Sequence, residues 1–208
     1  MELIHKGIDN YLQQLMPQRD AVLVEMEEYA AREKFPLVGP QVGQLLEILA
    51  RSIEAEHIIE LGSGFGYSAV WFARALLEGD RLIQTDMKEE NARLSESFFE
   101  KAELSEFFDF RVGDALEVLK QEPGPFDIIF NDMYKEHYPN VIELAYEKLR
   151  PGGLLITDNT LWKGKVLDNE PDLKTRGVQD FNALMAEHDD FLTIQLPLRD
   201  GVSLSYRI

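Results

Sequence analysis

The run His57-Ile58-Ile59-Glu60-Leu61-Gly62-Ser63-Gly64-Phe65-Gly66-Tyr67-Ser68 decides how this chain is read. Its first five residues are a short apolar run that reads as a strand. Three glycines at alternate positions follow, and residues 67–77 then read as a helix. Glycines at such a turn permit a tight bend and let a ligand approach the backbone and the helix N-terminus. Their spacing is G-x-G-x-G, not the G-x-G-x-x-G of a dinucleotide site. A tight strand-to-helix turn needs glycine in any case, so the loop alone leaves a structural and a functional reading open.

Downstream the strand-helix alternation repeats. Strands are expected at residues 81–85, 108–112, 126–130 and 153–157, with helices at 88–101, 115–121, 140–149 and 178–187. The end differs: residues 191–198 and 202–208 are strand-like runs around Arg199-Asp200-Gly201, and an Asp-Gly between such runs reads as a hairpin. The pattern predicts an α/β protein, a doubly wound Rossmann-like seven-stranded sheet of order 3-2-1-4-5-7-6 with the last strand antiparallel. Upstream, Ile4, Ile8, Tyr11, Leu12 and Leu15 share one helical face, and residues 19–32 are rich in helix formers. Residues 35–40 break the helical pattern and 41–52 resume it. Residues 1–208 are read as a single domain, with 1–34 a helical N-terminal extension packed on the main domain or on a second subunit.

Composition narrows the function. The chain has 21 Lys and Arg against 38 Asp and Glu, a formal net charge of −17, and no Cys. Such a surface repels phosphate backbones, which argues against extended contact with nucleic acid or anionic membranes. The lack of Cys excludes a disulfide framework, a thiolate metal site and a cysteine nucleophile. No apolar run approaches the roughly 20 residues of a membrane span, and no signal-peptide pattern is visible. The expected location is the cytoplasm.

In an open parallel sheet, ligands bind at the carboxyl ends of strands where the winding reverses. In the order 3-2-1-4-5 this selects residues 60–66, 85–87, 131–135 and 157–159. Asp86 follows strand 2, where a carboxylate can accept both ribose hydroxyls of a bound nucleoside. Its alternative role is a cap on the next helix.

The run I-I-E-L-G-S-G-F-G-Y-S-A-V-W-F-A, followed by D-M, G-D-A-L, F-D-I-I-F-N-D-M-Y-K-E-H-Y, L-R-P-G-G-L-L-I-T-D-N-T-L-W-K-G and L-P-L-R-D-G-V, resembles the cation-dependent O-methyltransferases. That family includes the catechol and caffeoyl-coenzyme A enzymes. The likeness runs from about Val38 to the C-terminus. It implies that S-adenosylmethionine (SAM) is the methyl donor. Glu60, Gly62, Gly64, Tyr67 and Ser68 would surround its methionine and ribose, and Asp86 would hold the ribose. Met87 would pack on the adenine, Gly113, Asp114 and Ala115 would border it, and Val38, Asp132 and Met133 would complete the contact. The resemblance also implies a homodimer formed through the N-terminal helices.

Asp132 follows strand 4, and Asp158-Asn159 follow strand 5. On neighbouring strands these three side chains converge beside the SAM site. Two carboxylates and an amide oxygen form a hard, oxygen-only set suited to Mg²⁺, Mn²⁺ or Ca²⁺ rather than zinc. Asp and Asn at strand ends also cap loops, which is the competing explanation. By the resemblance, Lys135 is the general base, and the acceptor is a small, catechol-like aromatic bordered by Tyr134 and Trp162. Tyr134 stands where many bacterial relatives carry an acid, and Pro197 where the catechol enzymes use a late glutamate. Asn131 replaces a hydrophobic residue without an evident reason. A tRNA-modifying methyltransferase, a nicotinamide-dependent oxidoreductase and a non-catalytic SAM-binding module are the alternatives.

Overall fold

The computed structural model describes residues 7–208. Ile4 lies outside the described residues. In chain order the elements are α1 (Ile8–Leu15), α2 (Ala21–Glu33), α3 (Pro40–Ser52), β1 (His57–Leu61), α4 (Tyr67–Ala73), β2 (Arg81–Asp86), α5 (Glu89–Lys101), β3 (Asp109–Val112), α6 (Ala115–Gln121), β4 (Phe126–Asn131), α7 (Val141–Lys148), β5 (Leu149–Asp158), α8 (Leu173–Glu187), β6 (Phe191–Leu196) and β7 (Val202–Arg207). The strands form one sheet in the order β3-β2-β1-β4-β5-β7-β6. Only β7 runs against its neighbours. The topology is the one the sequence pattern predicts.

The central strands are apolar along their whole length because helices cover both faces. Ile58, Ile128, Phe130, Leu154 and Ile156 enter one core, shared with α2 to α5. Ile59, Leu61, Ile129 and Leu155 enter the other, with Leu119, Tyr138, Val178 and Phe181. Each such side chain, taken fully out of water, contributes about 1.5–3 kcal/mol. The helix α2 belongs to the first core: Asp20 caps its N-terminus through Leu23 N at 3.0 Å, and Leu23, Met26 and Ala30 are buried. By contrast, α1 leaves Tyr11 and Leu15 exposed. No described helix is long and apolar enough to cross a membrane.

Asp127 locks the amino ends of the central strands. Its carboxylate accepts from the amides of Glu56 and His57 at 2.9 and 2.7 Å, and from Arg150 Nε at 2.5 Å. Burial alone would raise its pKa, but the Arg150 bond and the two amides outweigh burial and hold it below the usual carboxylate range.

Three boundaries differ from the sequence expectation by four residues or more. The helix α4 stops at Ala73 rather than 77, because Asp80 turns the chain into β2 by accepting from Leu77 N at 2.6 Å. The strand β5 starts at Leu149 rather than 153. The helix α8 starts at Leu173 rather than 178, capped by Asp172 on Thr175 N at 2.7 Å. Gly177 lies inside it and weakens the helical pattern, yet there any Cβ would collide with the Lys135 carbonyl.

Candidate active site

A cleft of about 770 Å³ opens at the carboxyl ends of β1, β2, β4 and β5, where the winding reverses. One end is built on the 62–66 turn. Thr85 fixes that turn to β2: its carbonyl accepts from Ser63 N at 2.7 Å, and its hydroxyl donates to the Glu60 carbonyl at 2.9 Å. Gly62 has φ +90°, and a Cβ there would stand 2.7 Å from the Asp132 carbonyl. Close packing of two loops therefore demands this glycine whatever ligand binds.

Glu60 is fully buried. Ser68 Oγ donates to its Oε1, while Oε2 has no partner among the described residues. Burial pushes its pKa up from 4.5 to about 7, against the hydrogen bond from Ser68 and the influence of the nearby Ser63 hydroxyl, with Asp132 and Asp86 adding a smaller push. Tyr67 donates its hydroxyl to Glu27 of α2 at 2.8 Å, and burial lifts its pKa beyond the ordinary phenol range. Asp86 accepts from Lys88 N and Asn91 Nδ2, both at 2.9 Å and both on Oδ1. Asp114 caps α6 through Leu116 N and Glu117 N, each at 3.0 Å. Asp114 thus caps its helix, whereas Asp86 turns the chain into α5, whose N-cap Lys88 makes no side-chain cap bond; both acids line the cleft. Met87 is 57% exposed there, a flat apolar surface without a partner.

The other end of the cleft is acidic. Asn131 pairs with Thr157 across β4 and β5, so Asp132 and Asp158 follow at the same level on adjacent strands. Burial first, then the charge of Asp132, lifts Asp158 to about 8; burial also raises Asp132, opposed by Lys135. Lys135 Nζ lies 2.6 Å from Asp132 Oδ1 and 3.3 Å from the Met133 carbonyl, with the Tyr138 and Trp162 rings at 5.0 and 5.8 Å. Asn159, at φ +60°, donates Nδ2 to Asp158 Oδ2 at 3.0 Å, which leaves its amide oxygen available. Tyr138, wholly buried, donates to the Asp158 carbonyl at 2.8 Å. Among the described residues, no three His, Cys, Asp or Glu side chains group as a metal site by themselves; here an amide would have to complete the set.

The sequence profile of the O-methyltransferase family matches residues 14–208. The chain is 34% identical to a catechol O-methyltransferase of Niastella koreensis, over 88% of this chain and 86% of the relative. The chain belongs to the O-methyltransferase family. It is 35% identical to caffeoyl-CoA O-methyltransferase 2 of Zea mays, over 92% of this chain and 78% of that one. In structure it superposes on the O-methyltransferase from Bacillus cereus in complex with SAH with a TM-score of 0.88 and 30% identity, covering 97% of each chain. This methyltransferase is a class I, SAM-dependent enzyme, and the dehydrogenase alternative falls away.

The fold gathers the methyltransferase's candidate residues into this one cleft. Val38, Gly62, Gly64, Tyr67, Ser68, Asp86, Met87, Gly113, Asp114 and Ala115 line one part of it. Asp132, Met133, Tyr134, Lys135, Asp158, Asn159 and Trp162 line the other. Glu60 alone does not line it and lies beneath, bonded to Ser68. Asp200 and His137, not singled out from the sequence, also line the cleft. So do Lys163 and Lys174. Glu27 touches Tyr67 from outside it. Glu27 and Lys174 lie outside the motifs and no local pattern marks them, whereas His137, Lys163 and Asp200 stand inside the quoted runs N-D-M-Y-K-E-H-Y, L-W-K-G and L-P-L-R-D-G-V. Asn131, unexplained in the sequence, is wholly buried and donates to Thr157 Oγ1 at 3.4 Å.

Proposed function

We propose that this methyltransferase moves the SAM methyl group to a hydroxyl of a small, catechol-like aromatic acceptor with the help of a divalent cation. The observation that carries this reading is the meeting of Asp132 and Asp158 on adjacent strand ends beside Lys135, at the end of the cleft opposite Asp86 and Met87. Asp132, Asp158 and the Asn159 amide oxygen would hold the cation, most fittingly Mg²⁺, with Mn²⁺ or Ca²⁺ as substitutes. Such an ion, when bound, supplies a Lewis acid and a template for two vicinal hydroxyl oxygens. An oxygen-only donor set with two carboxyls raised by burial, Asp158 also by the charge of Asp132, fits a hard dication, since its charge would relieve that repulsion.

The remaining work falls to the chain's own groups. Glu60 Oε2, buried and unpartnered, suits the methionine ammonium of SAM, and Asp86 Oδ2 suits the ribose. Met87 would pack on the adenine, with Gly113, Asp114 and Ala115 along its edge. Lys135, entering the step as the free amine, takes the phenol proton on Nζ and holds it as an ammonium between Asp132 and the rings of Tyr138 and Trp162. Tyr134, 58% exposed at the mouth, and Trp162 border the acceptor ring. SAM, when bound, would supply the methyl group by in-line displacement and would leave as S-adenosylhomocysteine. A homodimer through the N-terminal helices belongs to the same proposal, supported by the exposed Tyr11 and Leu15 of α1.

The test is methyl transfer from labelled SAM to a panel of catechols and monophenols, with EDTA and after Mg²⁺ is restored. The expected pattern is transfer to catechols alone, abolished by EDTA and recovered with Mg²⁺. Transfer indifferent to EDTA would remove the cation from the mechanism.

A further inference from the structure

The segment after β5 is held in a conformation that its sequence does not favour. Trp162 and Lys163 have φ of +45° and +55°, and Gly164 has +80°. Side chains adopt this left-handed region only when the surroundings impose it. What imposes it here is the β6–β7 hairpin. Leu161 N donates to the Asp200 carbonyl at 2.8 Å, Thr160 N to the Gly201 carbonyl at 3.1 Å, and Lys163 N to Asp200 Oδ1. Two of these bonds are main chain to main chain. The third, which reaches furthest into the left-handed turn, depends on one side chain. Both Trp162 and Asp200 line the cleft, and the Trp162 ring stands 5.8 Å from Lys135 Nζ.

We infer that Asp200 is a positioning residue for the acceptor: its carboxylate holds residues 162–163 in the left-handed turn that sets Trp162 against the cleft beside Lys135. The assignment rests on reading this end of the cleft as the acceptor's. Asp200 does not touch the cofactor end, so its loss changes acceptor binding and leaves SAM binding alone. Its charge also faces Asp132 and Asp158. The role assigned to it is the hydrogen bond, and the amide of an asparagine can accept the same bond without the charge.

The experiment compares Asp200→Ala with Asp200→Asn in the full chain, measuring KM and kcat for a catechol, Kd for SAM, and acrylamide quenching of Trp162. The only other tryptophan is Trp71, so the quenching uses a Trp71→Phe background. Loss of one hydrogen bond to a charged acceptor predicts that Asp200→Ala raises acceptor KM about tenfold and increases quenching. SAM Kd stays at its wild-type value, and Asp200→Asn restores KM to within about threefold, since the neutral bond is the weaker one. The inference is overturned if Asp200→Ala leaves KM and quenching unchanged, if Asp200→Asn is as impaired as Asp200→Ala, or if SAM Kd weakens in parallel. Should the wild type methylate no catechol at all, the acceptor reading fails; the quenching comparison then decides the link from Asp200 to Trp162 alone.

Discussion

Replacing Glu60 by glutamine should make the unliganded enzyme more stable at alkaline pH while weakening its hold on SAM. The folded protein keeps the Glu60 proton up to about pH 7, whereas an unfolded chain releases it near 4.5. Between those values the folded state binds more protons than the unfolded state, so stability falls as pH rises. A rise from 4.5 to about 7 corresponds to about 3 kcal/mol of stability, fully present below pH 4.5 and lost as pH rises through about 7. Glutamine keeps the acceptor for Ser68 Oγ and carries no charge to desolvate. Urea unfolding at pH 8.5 should therefore show Glu60→Gln more stable than wild type by up to about 3 kcal/mol, with the difference vanishing near pH 4.5. Calorimetry should show SAM affinity down by roughly 10- to 100-fold, the worth of a hydrogen bond to a charged group. Equal or lower stability of the variant at pH 8.5, with SAM affinity intact, would refute both the buried-acid account and the ammonium role.

Asp127→Ala should lower stability by roughly 2–4 kcal/mol at pH 7, since it strands two amides and Arg150. Because the Asp127 pKa is depressed, this difference should shrink as pH falls through the carboxylate range, and SAM affinity should not change; urea titrations at pH 7 and 3 check the first and calorimetry the second. Lys135→Ala should reduce kcat by about 10²- to 10⁴-fold with SAM Kd unaltered. A kcat within a few-fold of wild type would take the proton-acceptor role away from Lys135.

The sheet was legible because its strands are buried on both faces: runs such as His57–Leu61 and Phe126–Asn131 stand out against polar surroundings. The gathering of the candidate residues in one cleft was legible because they sit next to strand ends, where topology alone brings them together. What stayed hidden depends on distant pairs. Tyr138 reaches Asp158 from a 3₁₀ turn, Glu27 reaches Tyr67 from α2, and Asp200 reaches Lys163 across the hairpin. None of these three leaves a periodic or spacing signal. The start of α8 stayed hidden for the opposite reason, since Gly177, which weakens a helix locally, is required there by the close crossing of the Lys135 backbone. Gly62 reads as a ligand glycine in the sequence, and the structure adds a second requirement, the approach of the Asp132 carbonyl.

The central claim is that Asp132, Asp158 and Asn159 hold a divalent cation beside the acceptor. The most direct measurement is a Mn²⁺ titration followed by electron paramagnetic resonance, with SAM present, on wild type and Asp158→Ala. The account predicts one Mn²⁺ per chain in the wild type, bound more tightly when a catechol is added, and no such site in the variant. Absence of Mn²⁺ binding to the wild type, or equal binding in Asp158→Ala, would contradict it.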